Sequence, residues 1–450
     1  MAQIDLTNGN ISKTILRFAF PMICGNLLQQ LYNVVDTLIV GQYLGADALA
    51  AVGSSYTLMT FLTSILLGMC MGSGAVFSIR FGEKNQKKLK ADMFVSFLLI
   101  EIFAVVINVA VFIYIDEIMY VLSVPEQVYS LMREYLWIIF LGIGATFFYN
   151  YYASLLRAIG NSFVPLLFLG GAAVLNIVLD LIFVLYCKWG VSGAAIATII
   201  AQWFSGIGIF LYTMLFCPKL RIKREEMCFN FDAIKEIGSA SILTCLQQSV
   251  MNLGILMVQG LINSFGPAVM AAFAAAVKID SFAYMPVQDF GNAFSTFIAQ
   301  NYGAKKEERI RKGIRSAVKI AIIFSLCVSA VVVVFARQLL LIFIHPEEIE
   351  ILNIGVSYLR IVGTFYCGIG GLFLLYGLYR AIGQPGMSLV LTVISLGTRV
   401  FLAYTLSAFP AIGVIGIWWS VPIGWFLADI TGVVYYRYIC KRGKQNMGYD

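Results

Sequence analysis

Asp36 is a lone carboxylate inside an apolar stretch, NLLQQLYNVVDTLIVGQYLGADALAAVG, over residues 26–53. A charge at bilayer depth is costly, and ionisable residues placed there mark ion or substrate pathways. Counting back from Asp36 by helical turns reaches Asn33, Tyr32 and Gln29, which puts four polar side chains on one helical face. Such a stripe must face protein or water rather than lipid. A second signal, Asn176 with Asp180 in VLNIVLDLIFV, has the four-residue spacing of one helical face, and Thr198 adds a hydroxyl at comparable depth in the next apolar segment. If these helices adjoin the first, Asp36, Asn176, Asp180 and Thr198 form a nest of oxygens. Hard cations such as Na⁺ take oxygen ligands, and paired carboxylates in a low dielectric also bind a proton, because both cannot carry charge cheaply. The competing reading is that Asp36 or Asp180 merely hydrogen-bonds across helices as packing.

The elements that position these residues are membrane spans. The chain has 450 residues, 60 % hydrophobic and 12 % charged, which excludes a soluble globular class. Apolar segments of about 20 residues recur from end to end, each long enough to cross a hydrocarbon core of about 30 Å. Twelve are expected, near residues 14–40, 52–80, 93–115, 132–157, 164–186, 190–216, 236–262, 272–302, 315–341, 355–381, 387–408 and 413–438. The first continues without a cleavage site, so no signal peptide is expected. Nine cysteines, mostly inside apolar runs and never as C-x-x-C, behave as small hydrophobes rather than as disulfides or metal ligands.

Charge and repetition set the arrangement. Of the 31 Lys and Arg, 25 fall on alternate connections, with clusters at residues 80–90, 219–235, 305–319 and 437–444, while the opposite connections carry acids such as Asp116, Glu117, Glu347 and Glu348. The positive-inside rule then places both termini in the cytoplasm, and the net charge of +7 is a topology signal with anionic-lipid contacts rather than a nucleic-acid site. Arg157-Ala-Ile-Gly160 returns as Arg380-Ala-Ile-Gly383, Gln29-Gln30 as Gln247-Gln248, and FGEKN at 81–85 as YGAKK at 302–306. These near-constant offsets mean two six-helix halves. The expected fold is an all-α polytopic membrane protein, with twelve transmembrane helices in two pseudo-twofold-related six-helix bundles around a central cleft. Residues 1–216 form an ion-coupling N-terminal lobe, 217–235 a cytoplasmic basic linker and 236–450 a C-terminal lobe.

Within the repeat, Asn176 corresponds to Arg399, Asp180 to Ala403, Thr198 to Val421 and Asp36 to Ile255. The second half lacks the carboxylates and gains a cation, so ion coupling belongs to the first half. Lys278, Asp280, Glu101, Asp289, Arg360 and Asp429 are expected to be structural, Asp280 with a partner from another helix. The Arg-Ala-Ile-Gly copies look like helix ends, with Gly terminating the helix and Arg meeting the last carbonyls or lipid phosphate. His345, the only histidine, precedes Pro346 in an acidic loop, which leaves no His-based catalytic or zinc site. With no phosphate-binding loop and no nucleophile cluster, neither ATP hydrolysis nor intramembrane enzymology is expected.

The stretches at 21–53, LLRAIGNSFVP (155–165), VLNIVLDLIFV (174–184), WGVSGAAIATIIAQ (189–202), VKIDSFAYMPVQDFGNAFSTFIAQNYGA (277–304) and YRAIGQPG (379–386) resemble the multidrug and toxic compound extrusion (MATE) family. The resemblance covers essentially the whole chain. It implies secondary active efflux of cationic amphiphilic compounds in antiport with Na⁺ or H⁺, with Asp36, Asn176, Asp180 and Thr198 as the cation site. It implies no cofactor beyond the coupling ion, a multi-pass protein of the cell membrane, and no nucleic-acid partner; a monomer is expected. Gln29, Tyr32 and Asn150 are similar to first-lobe cavity residues, and Asn33 and Arg399 join them as expected cavity residues. Acidic coupling residues that some members carry in spans seven and ten are absent here. The alternative is a lipid-linked saccharide flippase of the same wider superfamily, which calls for a more cationic cavity than Arg399, Lys278 and Arg360 supply.

Overall fold

The helix Gln86–Ile113 turns its apolar side outward: Ile102, Val105, Val106, Val109 and Ile113 are all half-exposed or more, while Ile100, Ala104 and Val111 are buried. Exposed Ile and Val at helical spacing invert the pattern of a water-soluble helix and fit one surrounded by lipid. The computed structural model describes residues 3–121, 124, 126–227 and 231–446, so residues 228–230 of the expected linker lie outside the described residues. Among the described residues the chain is helical throughout, with no strand.

The spans, in order, are α1 (Ile11–Leu44), α2 (Ala46–Gly82), α3 (Gln86–Ile113), α4 (Glu126–Ala158), α5 (Phe163–Tyr186), α6 (Gly190–Phe216), α7 (Phe231–Asn263), α8 (Pro267–Gly303), α9 (Glu307–Val334), α10 (the pair Ile349–Thr364 and Tyr366–Ala381), α11 (Pro385–Ser407) and α12 (Val414–Asn446). Ten of these helices are long and apolar enough to cross a membrane, and α10 adds an eleventh span bent by 52° between its halves. The remaining one, α1, has 34 residues and is about 51 Å long at 1.5 Å per residue. Asn26, Gln29, Gln30, Asn33 and Asp36 interrupt its apolar residues, so that no stretch of it is as uniformly apolar as a full span.

Local chemistry explains where helices begin and end. Asn10, Asn85 and Asn161 accept backbone N–H bonds from Lys13 (3.1 Å), Lys88 (3.1 Å) and Val164 (3.2 Å), satisfying donors that a first helical turn leaves open. Gly160 and Gly383 close α4 and α10 with φ of 89° and 75°. At both, the following residue donates back across the turn, Asn161 to Leu156 O at 2.9 Å and Gln384 to Tyr379 O at 2.8 Å. This six-to-one bond with a left-handed glycine is the Schellman end, and it bears out the helix-end reading of the repeated motif. The arginine reading needs correction at Arg380. Its side chain is buried and donates to Asn292 Oδ1 at 3.3 Å rather than meeting helix carbonyls or lipid.

Two compact units emerge. One gathers Met1–Gly9, Arg17–Cys245 and Ala299–Lys305; the other gathers Asn10–Leu16, Leu246–Ile298 and Lys306–Asp450. Helices α1, α7 and α8 are thus each shared between units. In the first unit, the early half of α7 lies hard against α2: a Cβ on Gly72 would sit 2.3 Å from Ala240 O, and Ser73 Oγ is 2.8 Å from Ser241 Oγ. The same unit ties the linker to the α2–α3 turn. Lys90 Nζ grips both Glu226 oxygens (2.9 and 3.0 Å), and Arg80 bonds Asp92 (2.9 Å), Glu83 (3.2 Å) and Glu236. Its core is aromatic around Phe97, Phe147, Phe148 and Tyr151, and the second unit's core stacks Phe273 on Trp418 with 5.7 Å between ring centres.

Candidate functional site: a buried oxygen nest

Helix α1 presents its polar stripe inward. Leu28, Leu31, Val34 and Leu38 are exposed, whereas Gln29, Tyr32, Asn33 and Asp36 are half-buried. The apolar and polar faces therefore separate as the spacing requires. Close α1–α5 packing is visible at Gly25, where a Cβ would lie 3.5 Å from Leu169 Cδ2 and 3.7 Å from Leu166 Cδ1.

That packing carries Asp36 to Asp180. The two carboxylates are near enough to act on one another's charge. Asp180 is fully buried, Asn176 one turn earlier is 1 % exposed, and the Asn176 amide donates to Thr198 Oγ1 at 3.4 Å from α6. The structure thus assembles all four residues of the expected cation nest from α1, α5 and α6.

What distinguishes the nest is its shortage of donors. Asp36 Oδ1, Asn176 Oδ1 and both oxygens of Asp180 are buried without a hydrogen-bond donor. Two ionised carboxylates are acceptors only, so neither satisfies the other, and a bond between them exists only when one is protonated. Unsatisfied buried acceptors are costly, and unpaired buried charges more so. Such a cluster has the chemistry to take up a proton or a small hard cation.

Sequence reasoning missed two features here. Immediately after Asp180 the helix widens into a π turn, Leu181–Tyr186, a local irregularity that frequently accompanies functional positions. Tyr135 of α4, nearly fully buried, lies within electrostatic range of Asp36, Asp180 and Tyr32. A tyrosine directly after Arg133 and Glu134 gives no signal of its own, whereas the lone carboxylate of Asp36 does.

The cavity residues are dispersed. Tyr32 is in electrostatic range of both carboxylates and of Tyr56. The Asn150 amide donates to Thr146 O of its own helix at 2.8 Å. Arg399 belongs to the other compact unit, on the face of α11 that also carries buried Thr392, Ser395, Leu396 and Ala403. There the Tyr358 hydroxyl donates to Asp280 Oδ2 at 3.1 Å, which supplies the cross-helix partner expected for Asp280. Lys278 instead lies over the Phe343 ring, 5.7 Å from its centre.

Comparison with known proteins accounts for this repeat of helices. The MatE family model matches the chain twice, over residues 21–182 and 240–405, so that the starts lie 219 residues apart (21 and 240). This chain belongs to the MATE family. It is similar over 446 residues, at 32 % identity, to the probable multidrug resistance protein YpnP of Bacillus subtilis, covering 97 % of each. The probable multidrug resistance protein YoeA of the same organism is 26 % identical over 445 residues, covering 96 % of this chain and 95 % of that one. Among solved structures, an outward-facing multidrug resistance MATE family transporter of the MOP superfamily superposes with a TM-score of 0.91 at 25 % identity, covering 98 % of both chains. The chain is therefore a multi-pass membrane transporter with the twelve-helix MATE fold.

Proposed function

We propose that this MATE-family chain exports cationic amphiphilic compounds from the cytoplasm across the cell membrane, in antiport with Na⁺ or H⁺ bound at Asp36 and Asp180. The observation that carries the reading is the donor-poor nest of buried oxygens. Asn176 and Thr198 complete the ion's surroundings, and Gln29, Tyr32, Asn33 and Asn150 line the route of the compound in the first lobe, with Arg399 in the second. Both termini face the cytoplasm, as the basic connections imply.

The energetics are consistent. A membrane potential contributes about 2.3 kcal/mol per charge per 100 mV. One incoming cation exchanged for one outgoing cationic compound cancels that electrical work, so a concentration gradient of the ion or a second charge must supply the drive. Two carboxylates have room for either solution, sharing one proton or admitting an extra cation.

The test is compound-stimulated ion flux in proteoliposomes carrying wild type, Asp36→Asn, Asp180→Asn or both. Each single variant should fold and bind compound yet lose gradient-driven export. The double variant should be hardly worse than either single one, because a shared site is lost only once. Wild-type export by Asp36→Asn would return Asp36 to a packing role.

A further inference from the structure

The stretch of α5 that follows Asp180 is gripped from two sides. Asp180 is the last residue before the π turn Leu181–Tyr186, and the chain then reverses, with φ of 55° at Lys188 and 61° at Gly190, where α6 begins. The reversal folds Trp189 back over the turn it has just left. Its ring stacks on the Phe183 ring, with 4.8 Å between centres and 22° between planes, and its backbone N–H donates to Phe183 O at 2.9 Å. Cys187 N–H donates to Ile182 O at 2.9 Å, the five-residue step of a widened turn. Gly193 of α6 closes the grip. A Cβ there would lie 3.1 Å from Phe183 Cβ and 3.2 Å from both Phe183 C and Phe183 O.

Asn176 and Asp180 precede this grip on the same helix. Their link to α6 is the Asn176–Thr198 bond, which at 3.4 Å is long and fixes the rotation of α5 weakly. The firmer hold is on Phe183. A π turn takes up one residue more than an α turn, equivalent to about 100° of rotation at 3.6 residues per turn. With Phe183 pinned, a change in the width of the turn rotates Asn176 and Asp180 together, relative to Thr198 on α6 and Asp36 on α1.

We infer that Phe183, Trp189 and Gly193 are positioning residues of the ion site: they hold the π turn open and so aim Asp180 and Asn176 into the nest. This rests on the export reading and adds to it residues that touch no ion.

The experiment uses the full chain in proteoliposomes, driven by a gradient of Na⁺ or H⁺. The ion concentration that gives half-maximal export is read separately from the maximal rate. Among the described residues, the titratable groups acting on Asp180 are Asp36 and Tyr32 of α1 and Tyr135 of α4, and no substitution below touches them. Gly193→Ala presses a methyl group on the Phe183 backbone and should shift the half-maximal concentration by about tenfold, the scale found when the support of an ion ligand is disturbed. Trp189→Leu removes the stacked ring and should shift it by about threefold. Trp189 is half-exposed, so this variant leaves no internal cavity and serves if Gly193→Ala folds poorly. Gly171→Ala is the control. Its Cβ would lie 3.2 Å from Phe204 Cε1 in the same helix pair, where α5 is regular, and it should leave the half-maximal concentration unchanged. An equal shift in Gly171→Ala and Gly193→Ala would assign the effect to general α5–α6 packing and overturn the inference. A fall in maximal rate alone, in both Gly193→Ala and Trp189→Leu, would do the same. Ion-driven export by wild type with neither variant altered refutes this inference alone, whereas export by wild type that needs no ion gradient refutes the export reading and this inference with it.

Discussion

Gly72→Ala should destabilise the protein although it adds only one methyl group to an α-helix. The added Cβ would lie 2.3 Å from Ala240 O, 2.7 Å from Ala240 C and 2.8 Å from Ser241 Cα. Ordinary contact begins at 3.4 Å, so α2 and α7 must separate by about 1.1 Å (3.4 less 2.3). The obstacle is backbone on a neighbouring helix, which has no alternative rotamer to adopt. Overpacking of this kind costs up to about 3 kcal/mol. The better helix propensity of Ala returns about 1 kcal/mol, leaving a net loss of about 2 kcal/mol. Gly53→Ala on the same helix supplies the control, since nothing lies within 4 Å of its Cβ position and only the propensity term remains. Thermal unfolding of the detergent-solubilised variants reads the contrast, with Gly72→Ala below wild type and Gly53→Ala at or slightly above it. Equal stabilities for the two variants would refute the claim that backbone contact at Gly72 holds the early half of α7 on α2.

Other expectations follow from the linker and from the orientation of the chain. The exposed side chain of Lys223, substituted as Lys223→Cys, should resist impermeant thiol reagents added outside intact cells, and strong labelling there would invert the proposed topology. Glu226 has its carboxyl held below the usual range, first by the Lys223 backbone N–H (2.8 Å) and then by Lys90. A carboxyl depressed in the folded state stabilises above its ordinary pKa and loses that contribution as pH falls through the folded value. Hydrogen exchange over residues 223–227, corrected for intrinsic rates, should therefore accelerate on the acid side of the Glu range, and Glu226→Gln should show the fast behaviour already at neutral pH. Exchange in wild type that ignores acidification would show that the linker is held by something else.

The parts legible in sequence are those where chemistry is costly. Asp36, Asn176 and Asp180 stand out because a polar group in an apolar run must be compensated, and helical spacing then fixes which face each occupies. Gly160 and Gly383 stand out because a left-handed helix end favours the residue without a Cβ. The packing of α2 on α7 is different. Gly68-x-x-x-Gly72 has the small-residue spacing at which membrane helices approach closely, yet nothing in the spacing says which helix arrives. The π turn after Asp180 and the 52° bend between Thr364 and Tyr366 leave no residue signature, as neither coincides with a proline. Arg380 was misplaced by its position at a helix end, because its destination, Asn292, is 88 residues away in the chain.

The repeat itself separates scaffold from chemistry. Backbone devices occur twice in matching form: the left-handed glycines at 160 and 383, and the left-handed lysines Lys84 and Lys305 with φ of 58° and 54°. These solve the same problem in each half, ending a helix and reversing the chain, and the solution is indifferent to what the half binds. The polar clusters do not match. Where the first half has Asn176 one turn before Asp180, the corresponding position holds Arg399, and the acid nearby, Asp280, comes from α8 rather than from α7, the counterpart of α1. The proposed function accordingly assigns the ion to the donor-poor carboxylates of the first half and leaves Arg399, in the half without them, to the compound. If that division holds, Arg399→Gln should change which compounds bind without changing the ion dependence of export, and Asp36→Asn should do the reverse. A single variant that abolished both properties while the protein stayed folded would show that the two clusters act as one site.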